Sequence, residues 1–307
     1  MLRTALIRAS NSHFLESQVT SRKLTRGLAL RFVAGETLEH GLASSRAAAR
    51  SGRSVTLDYL GESVTREDEA RAAAQVYVDA CKRLDDEGLP AGISVKPTQM
   101  GLHVDPSLCR ELLEQVAAAA GLAGMHVTLD MEGADVTEAT VGLVVDLHDA
   151  GHRHVGCAVQ SYLHRTFADV QRLSELAGAG ASLRLCKGAY AEPADIAFQR
   201  GAEVDDAYAR CADHLLAHGS FPRFATHDDV LIDHIRNTAA RLRVPRDAFE
   251  FQMLYGVRPS LQDALVRDGY RLRVYVPFGA QWYPYFMRRL AERPKNVIFF
   301  LRSLRDT

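Results

Sequence analysis

Residues 93–130 read ISVKPTQMGLHVDPSLCRELLEQVAAAAGLAGMHVTLD. The stretch opens on a short apolar, β-branched run at 93–97 and closes on another at 127–130. Between them, Asp105 and Pro106 supply an N-cap residue followed by proline at the first helical position, where its missing N–H costs nothing. Strand, helix and strand in this order predict a βαβ unit and therefore a parallel sheet.

The same rhythm extends in both directions. Short runs at 55–59, 93–97, 127–130, 155–160, 183–187, 224–227, 249–254 and 272–277 alternate with stretches of helical period. Thr65 with Asp68 makes a capping-box pattern, and behind it Ala70, Ala73, Tyr77, Cys81 and Leu84 keep one face apolar. Thr137 opens a helix closed by Gly151, and Thr166 with Asp169 opens another. A further helix ends near Gly219, while Asp229 and Ser260 open the next two. Eight strands alternating with helices predict a TIM-type (β/α)8 barrel over 54–307, preceded by an N-terminal helical arm at 1–53. The alternative is a doubly wound open sheet, which often carries G-x-G-x-x-G directly after a strand. The glycine-rich candidate, Gly178-Ala179-Gly180, follows a helix instead.

Composition narrows the function classes. The chain has 307 residues, 47% of them hydrophobic, with 37 basic and 38 acidic side chains, so charge gives no reason to expect nucleic-acid binding. Five cysteines, none in a C-x-x-C pair, argue against a disulfide framework or a cysteine zinc site and for a reducing, cytoplasmic setting. No apolar run approaches the roughly 18 residues of a membrane span, and the N-terminus lacks the apolar core of a secretory signal. No metal is expected. His148, His152 and His154 precede the fourth strand and so belong to the face of the barrel opposite the chemistry.

A barrel of this type carries its site at the C-terminal ends of its strands. Lys96, Asp130 with Glu132, Gln160, Arg184 with Lys187 and Gly188, Thr226-His227-Asp228, Gln252 with Leu254, and Arg273 with Tyr275 fall there or nearby. So many long polar side chains at one rim point to a large polar ligand, although some could be ion pairs inside the barrel, such as Lys96 with Asp130. The last helix follows Tyr283-Pro284. Tyr285, Arg288 and Glu292 share one of its faces with Arg289 adjacent, and two neighbouring guanidiniums suit capture of a carboxylate. A solvated basic face is the competing reading. Lys96 or Lys187 could also serve a Schiff-base aldolase, and a barrel that only binds an amino acid or flavin is a third possibility.

The strand-end segments ISVKPTQ from 93, LDMEGAD from 129, RLCKGAY from 184, ATHD from 225, FEFQMLYG from 249 and the Tyr285-x-x-Arg-Arg-x-x-Glu292 helix together resemble proline dehydrogenase, in the family's order, as does the tail NVIFFLR from 296. The resemblance is to the short, monofunctional bacterial type. It implies a distorted barrel with non-covalent FAD and a last helix over the mouth. It implies that Arg288 and Arg289 hold the carboxylate of L-proline, with Lys96 beside it and Asp130 orienting Lys96. Leu254, Tyr275 and Tyr285 would pack around the ring, and Glu292 would pair within the arginine cluster. Gln160, Arg184, Cys186, Lys187, Gly188, Ala189, Thr226, His227 and Gln252 match positions that contact FAD. The implied reaction passes hydride from C5 of proline to N5 of FAD, giving 1-pyrroline-5-carboxylate, and then passes electrons to a quinone. Transient contact with the inner membrane and a separate pyrroline-5-carboxylate dehydrogenase downstream are implied with it. The chain departs from the family pattern at Met131, Cys186 and Asp228, while Tyr275 favours proline over hydroxyproline.

Overall fold

The computed structural model describes residue 27, residues 29–176 and residues 181–292, the last two of these by backbone alone. Most of the predicted arm, the Gly178-Ala179-Gly180 segment, the 296–302 tail and the Glu292 side chain lie outside the described residues.

Eight parallel strands close into a barrel: Ser54–Tyr59 (β1), Ala91–Val95 (β2), His126–Leu129 (β3), Val155–Gln160 (β4), Arg184–Cys186 (β5), Arg223–Ala225 (β6), Glu250–Leu254 (β7) and Arg271–Phe278 (β8). Closure is made by β8 returning alongside β1, with Ser54 opposite Arg273 and Tyr59 opposite Phe278. The predicted barrel is therefore the observed one, and the open sheet is excluded. Helix Leu38–Arg50 (α1) precedes β1, with its buried Leu42 in the main core. Glu67–Asp86 (α2), Pro106–Leu122 (α3), Thr137–Asp149 (α4), Thr166–Ser174 (α5), Gly201–His218 (α6), Asp229–Leu242 (α7), Pro259–Arg267 (α8) and Tyr283–Glu292 (α9) follow the successive strands. Among the described residues no helix is long and apolar enough to cross a membrane.

Helix starts follow local chemistry that the simplest capping patterns miss. Asp105 caps α3 as expected, accepting from the Ser107 N–H at 2.8 Å. Thr65 does not cap α2: Arg66 takes that position, and the start is carried instead by Glu67, Asp68 and Glu69, whose charges oppose the positive end of the helix dipole. Thr166 is already helical and donates to the Gln160 carbonyl, while Asp169 is held by Arg165. Asp228, one residue before the expected Asp229, caps α7. Pro259 takes the first turn of α8 ahead of Ser260.

The barrel's inside and outside differ in kind. Outward positions such as Val55, Leu57, Ile93, Val95, Val127 and Leu129 are 0–1% exposed and form one apolar core with the helices. Alternation then turns the intervening Asp58, Ser94, Thr128, Arg184, Glu250, Gln252 and Arg273 inward, where they bond to one another and to Lys96, Asp130 and Arg223. Most barrels of this type fill that space with branched aliphatic side chains. Backbone also approaches backbone closely beside β4: a Cβ on Gly156 would meet the Ser182 carbonyl oxygen at 1.9 Å. Gly156→Ala should therefore destabilise by about 1–3 kcal/mol. Gly142→Ala, on α4 with nothing within 4 Å, should be neutral or stabilise by up to about 1 kcal/mol. Urea unfolding of both variants checks this, and similar losses at the two sites would contradict it.

Candidate active site

The mouth is organised around Asp130, just past β3. Its Oδ1 accepts from Ser94 Oγ at 2.6 Å and from Arg184 Nη1, and its Oδ2 accepts from the Tyr275 hydroxyl at 2.7 Å. Burial alone would raise the Asp130 carboxyl, but Arg184 and then Lys96 outweigh it and hold it below the ordinary range. Lys96, at the end of β2, donates to Asp58 of β1 at 2.7 Å and lies 3.8 Å from Asp130 Oδ2. Sequence reasoning paired Lys96 with Asp130. The structure makes Asp58 the nearer partner. Both are buried, at 6% and 0% exposure. Burial would lower Lys96, but Asp58 and Asp130 outweigh it, so the ammonium is held above its usual value. Burial raises Asp58 against the pull of Lys96.

The α9 helix lies over this cluster. Trp282, Tyr283, Tyr285, Phe286, Met287 and Leu290 pack with Ala29, Val33 and Leu60, and the half-buried Tyr275 packs against them. This settles the competing reading of a solvated basic face: the Arg288 side chain is only 14% exposed and donates through Nη1 to Glu62 at 2.8 Å. Burial opposes its charge but Glu62 outweighs it, and Arg288 in turn holds Glu62 below the ordinary carboxyl range. The Arg289 guanidinium lies 5.1 Å from the Tyr285 ring centroid, a cation–π contact. Beside Arg288 is a cavity of roughly 290 Å³ whose lining includes Glu62, Thr98, Glu132, Tyr190 and Arg288. Glu132 accepts from the Thr98 N–H and hydroxyl, and burial raises its carboxyl.

The other candidates occupy the ends of β4 to β7. Gln160 donates to the Glu132 carbonyl at 2.8 Å and accepts from the Ala189 N–H at 3.3 Å, tying the segment after β5 to the one after β3. The Tyr162 N–H donates to the Lys187 carbonyl, and Gly188 then turns with φ +118, so close to Tyr162 that a Cβ would sit 2.2 Å from its ring. Lys187 points to the rim and pairs with Asp205 and Asp228. Asp228 thus serves both as helix cap and as counter-ion. The Thr226 hydroxyl accepts from the Asp228 N–H, and His227 Nε2 accepts from the Leu254 N–H. Cys186 donates weakly to the Val159 carbonyl, and burial pushes its thiol up to about 12, so it is no thiolate nucleophile. Arg273, read as a rim residue, lies deep instead, donating to Glu250 and to the Val55 carbonyl.

Asp58, Glu62, Ser94 and Glu250 escaped the sequence reading. A signal was available for Asp58, since Thr56 and Asp58 alternate with Val55 and Leu57. Glu62 lies in an irregular loop with no such signal. As for FAD, one observation bears on fit: Arg184 Nη2 is buried with no partner among the described residues, so the barrel keeps a donor ready for an electron-rich ligand. Among the described residues, no group of three or more His, Cys, Asp or Glu is arranged to hold a metal ion.

The tightness of the Lys96–Asp58 pair can be tested by stability. Asp58→Ala should cost about 3 kcal/mol or more by stranding the ammonium, while Asp58→Ala with Lys96→Met should cost less than the single change. A double variant less stable than the single would contradict a dominant pairing.

Comparison with known proteins supplies the remaining observations. A family model described as proline dehydrogenase matches residues 42–301. Proline dehydrogenase 1 of Bacillus subtilis (strain 168) is 37% identical over 280 residues, 91% of each chain. The proline dehydrogenase of Deinococcus radiodurans is 36% identical over 290 residues, 92% of each chain. The crystal structure of proline utilization A (PutA) from Bdellovibrio bacteriovorus inactivated by N-propargylglycine superposes with a TM-score of 0.81 at 27% identity. That match covers 87% of this chain and 32% of the PutA chain, so this chain spans about a third of the larger protein.

Proposed function

The chain belongs to the proline dehydrogenase family, and from that premise we propose how its barrel mouth oxidises L-proline. As a family member it is an oxidoreductase of proline catabolism. The observation that carries the finer reading is the α9 helix folded over the mouth, bringing Arg288 within one electrostatic cluster with Glu62, Tyr275 and Tyr190.

Proline enters as a zwitterion and gives up one amine proton to water, which frees the nitrogen lone pair that assists loss of hydride from C5. Its carboxylate is received by Arg288 and Arg289, whose guanidiniums suit bidentate contact, with the Lys96 ammonium as a third cation. Asp58 and Asp130 hold that ammonium protonated and in place. Leu254, Tyr275 and Tyr285 form the apolar wall that orients the ring, and such positioning can remove several kcal/mol of barrier. The FAD that Gln160, Arg184, Cys186, Lys187, Gly188, Ala189, Thr226, His227 and Gln252 would border supplies a two-electron acceptor for hydride from C5. Arg184, buried and charged, favours negative charge developing beside it. Glu292 completes the arginine cluster in this reading. The product is 1-pyrroline-5-carboxylate, passed on to a separate pyrroline-5-carboxylate dehydrogenase, and the electrons leave to a quinone met at the inner membrane by a cytoplasmic protein.

The Schiff-base alternative fits less well. An amine nucleophile must be deprotonated, yet Lys96 is held by two carboxylates and Lys187 by two others, each pair of contacts raising the lysine above its ordinary value.

Purified protein should be yellow and should bleach on anaerobic addition of proline; colourless protein trapped by borohydride with its substrate would instead indicate an aldolase. Arg288→Met should raise KM for proline on the order of tenfold or more, with flavin content unchanged. An unaltered KM would remove Arg288 from the substrate site.

A further inference from the structure

The barrel floor carries a hydrogen-bonded chain that ends at Arg184. Glu250, at the start of β7, is 2% exposed, and its Oε1 accepts from Arg273 Nε at 2.7 Å and from Gln252 Nε2 at 2.7 Å. Arg223 Nε lies 3.5 Å from the same oxygen. Gln252, one turn of the pleat higher and 3% exposed, accepts at Oε1 from Arg184 Nε at 2.7 Å. Arg184 Nη1 donates to Ser94 and Asp130. Nη2 is buried without a partner among the described residues. The guanidinium carbon is 5.2 Å from the ring centroid of Tyr275, near the mouth end of β8.

The direction of this chain is set at both ends: the Arg184 guanidinium above can only donate. A carboxylate can only accept. Burial would raise Glu250, but Arg273 and then Arg223 outweigh it and keep it ionised. The Gln252 side chain must therefore turn its NH2 toward Glu250 and its carbonyl toward Arg184. With that oxygen on Nε, and Ser94 and Asp130 on Nη1, the guanidinium has one rotational setting, and Nη2 is the nitrogen left unspent. Were residue 250 an amide, its own NH2 could turn toward Gln252, and the Gln252 amide would then be held by Arg184 alone.

We propose that Glu250, which by its depth in the barrel touches neither substrate nor cofactor, is a positioning residue for the redox centre: it locks the Gln252 amide and so reserves Arg184 Nη2 for the flavin. The inference rests on the flavin-dependent reading above and adds to it a remote determinant of the flavin's potential.

The test is a redox titration of the flavin bound to full-length wild type, Glu250→Gln, and Glu250→Gln combined with Arg223→Met. The double variant removes one buried charge of each sign and so protects folding where the single variant leaves two arginines without a counter-ion. In both variants the midpoint potential should shift negative, because the reduced, electron-rich flavin loses an oriented donor. The rate of flavin reduction by saturating proline should fall on the order of tenfold, with KM little changed. A residue that merely balanced charge would behave differently: the double variant would regain the wild-type potential along with its stability, and that result overturns the proposal. An unchanged potential in both flavin-loaded variants overturns it equally. Wild-type protein that binds no flavin would sink the underlying cofactor reading instead.

Discussion

A charge enclosed by a closed barrel has to find its partner inside that barrel. Arg184 and Asp130 meet at the centre, and the groups that bond their other atoms, Arg184 Nη2 apart, come from several sides: Ser94 from β2, Gln252 from β7, Tyr275 from β8. Lys96 and Asp58 extend the set to β1. Breaking one buried pair typically costs about 3–5 kcal/mol, while a whole domain is stable by only about 5–15. Any arrangement of strands that left one of these charges alone would forfeit a large part of the fold's stability. The polar interior therefore reports on closure as strictly as an apolar core would.

The same economy governs the last helix. Bringing Arg288 out of water is costly, of the order of several kcal/mol for an ion that is fully buried. Glu62 offsets part of that cost. The larger contribution is apolar: Trp282, Tyr283, Tyr285, Phe286, Met287 and Leu290 are all 1–6% exposed, and full burial of each large apolar side chain is worth about 1.5–3 kcal/mol. Their sum exceeds the penalty, so α9 stays on the mouth and carries its arginines with it. The residues that anchor it, Ala29, Val33 and Leu60, come from before α1 and from the loop after β1. The placement of Arg288 over the mouth thus depends on contacts made by a segment more than 200 residues earlier in the chain.

What could be read in the sequence follows from the range of each interaction. The strands were legible to within a residue or two because alternation and turn chemistry are local. Asp105 was legible as a cap because the capping bond spans two residues. The inner network was not, because its partners are 38 residues apart for Lys96 and Asp58, 145 for Tyr275 and Asp130, and 226 for Arg288 and Glu62. No periodicity announces such pairs. Arg273 shows the same blindness: as a polar residue on the last strand it reads as rim, and only the register of β7 against β8 places it level with Gln252 and within reach of Glu250. The face of α9 was ambiguous for a different reason. Tyr285 and Arg288 share a stripe that is compatible with either solvent or a lid, and only the packing partners decide between them.

The division of labour between the barrel's two faces carries a further consequence. Since the inward positions are given to ions and amides, the hydrophobic stabilisation has to come from the outward ones, where Phe224, Phe249 and Phe251 pack ring against ring with Tyr270 and are, apart from Tyr270, fully buried. The apolar layer between strands and helices is therefore free of catalytic duties, and the inner layer is free of the need to fill space with aliphatic bulk. Groups already paired with fixed partners do not need to reorganise when a charged substrate arrives. That preorganisation is what makes oriented charges more effective in a protein than in water, and here it is built by the same bonds that close the barrel.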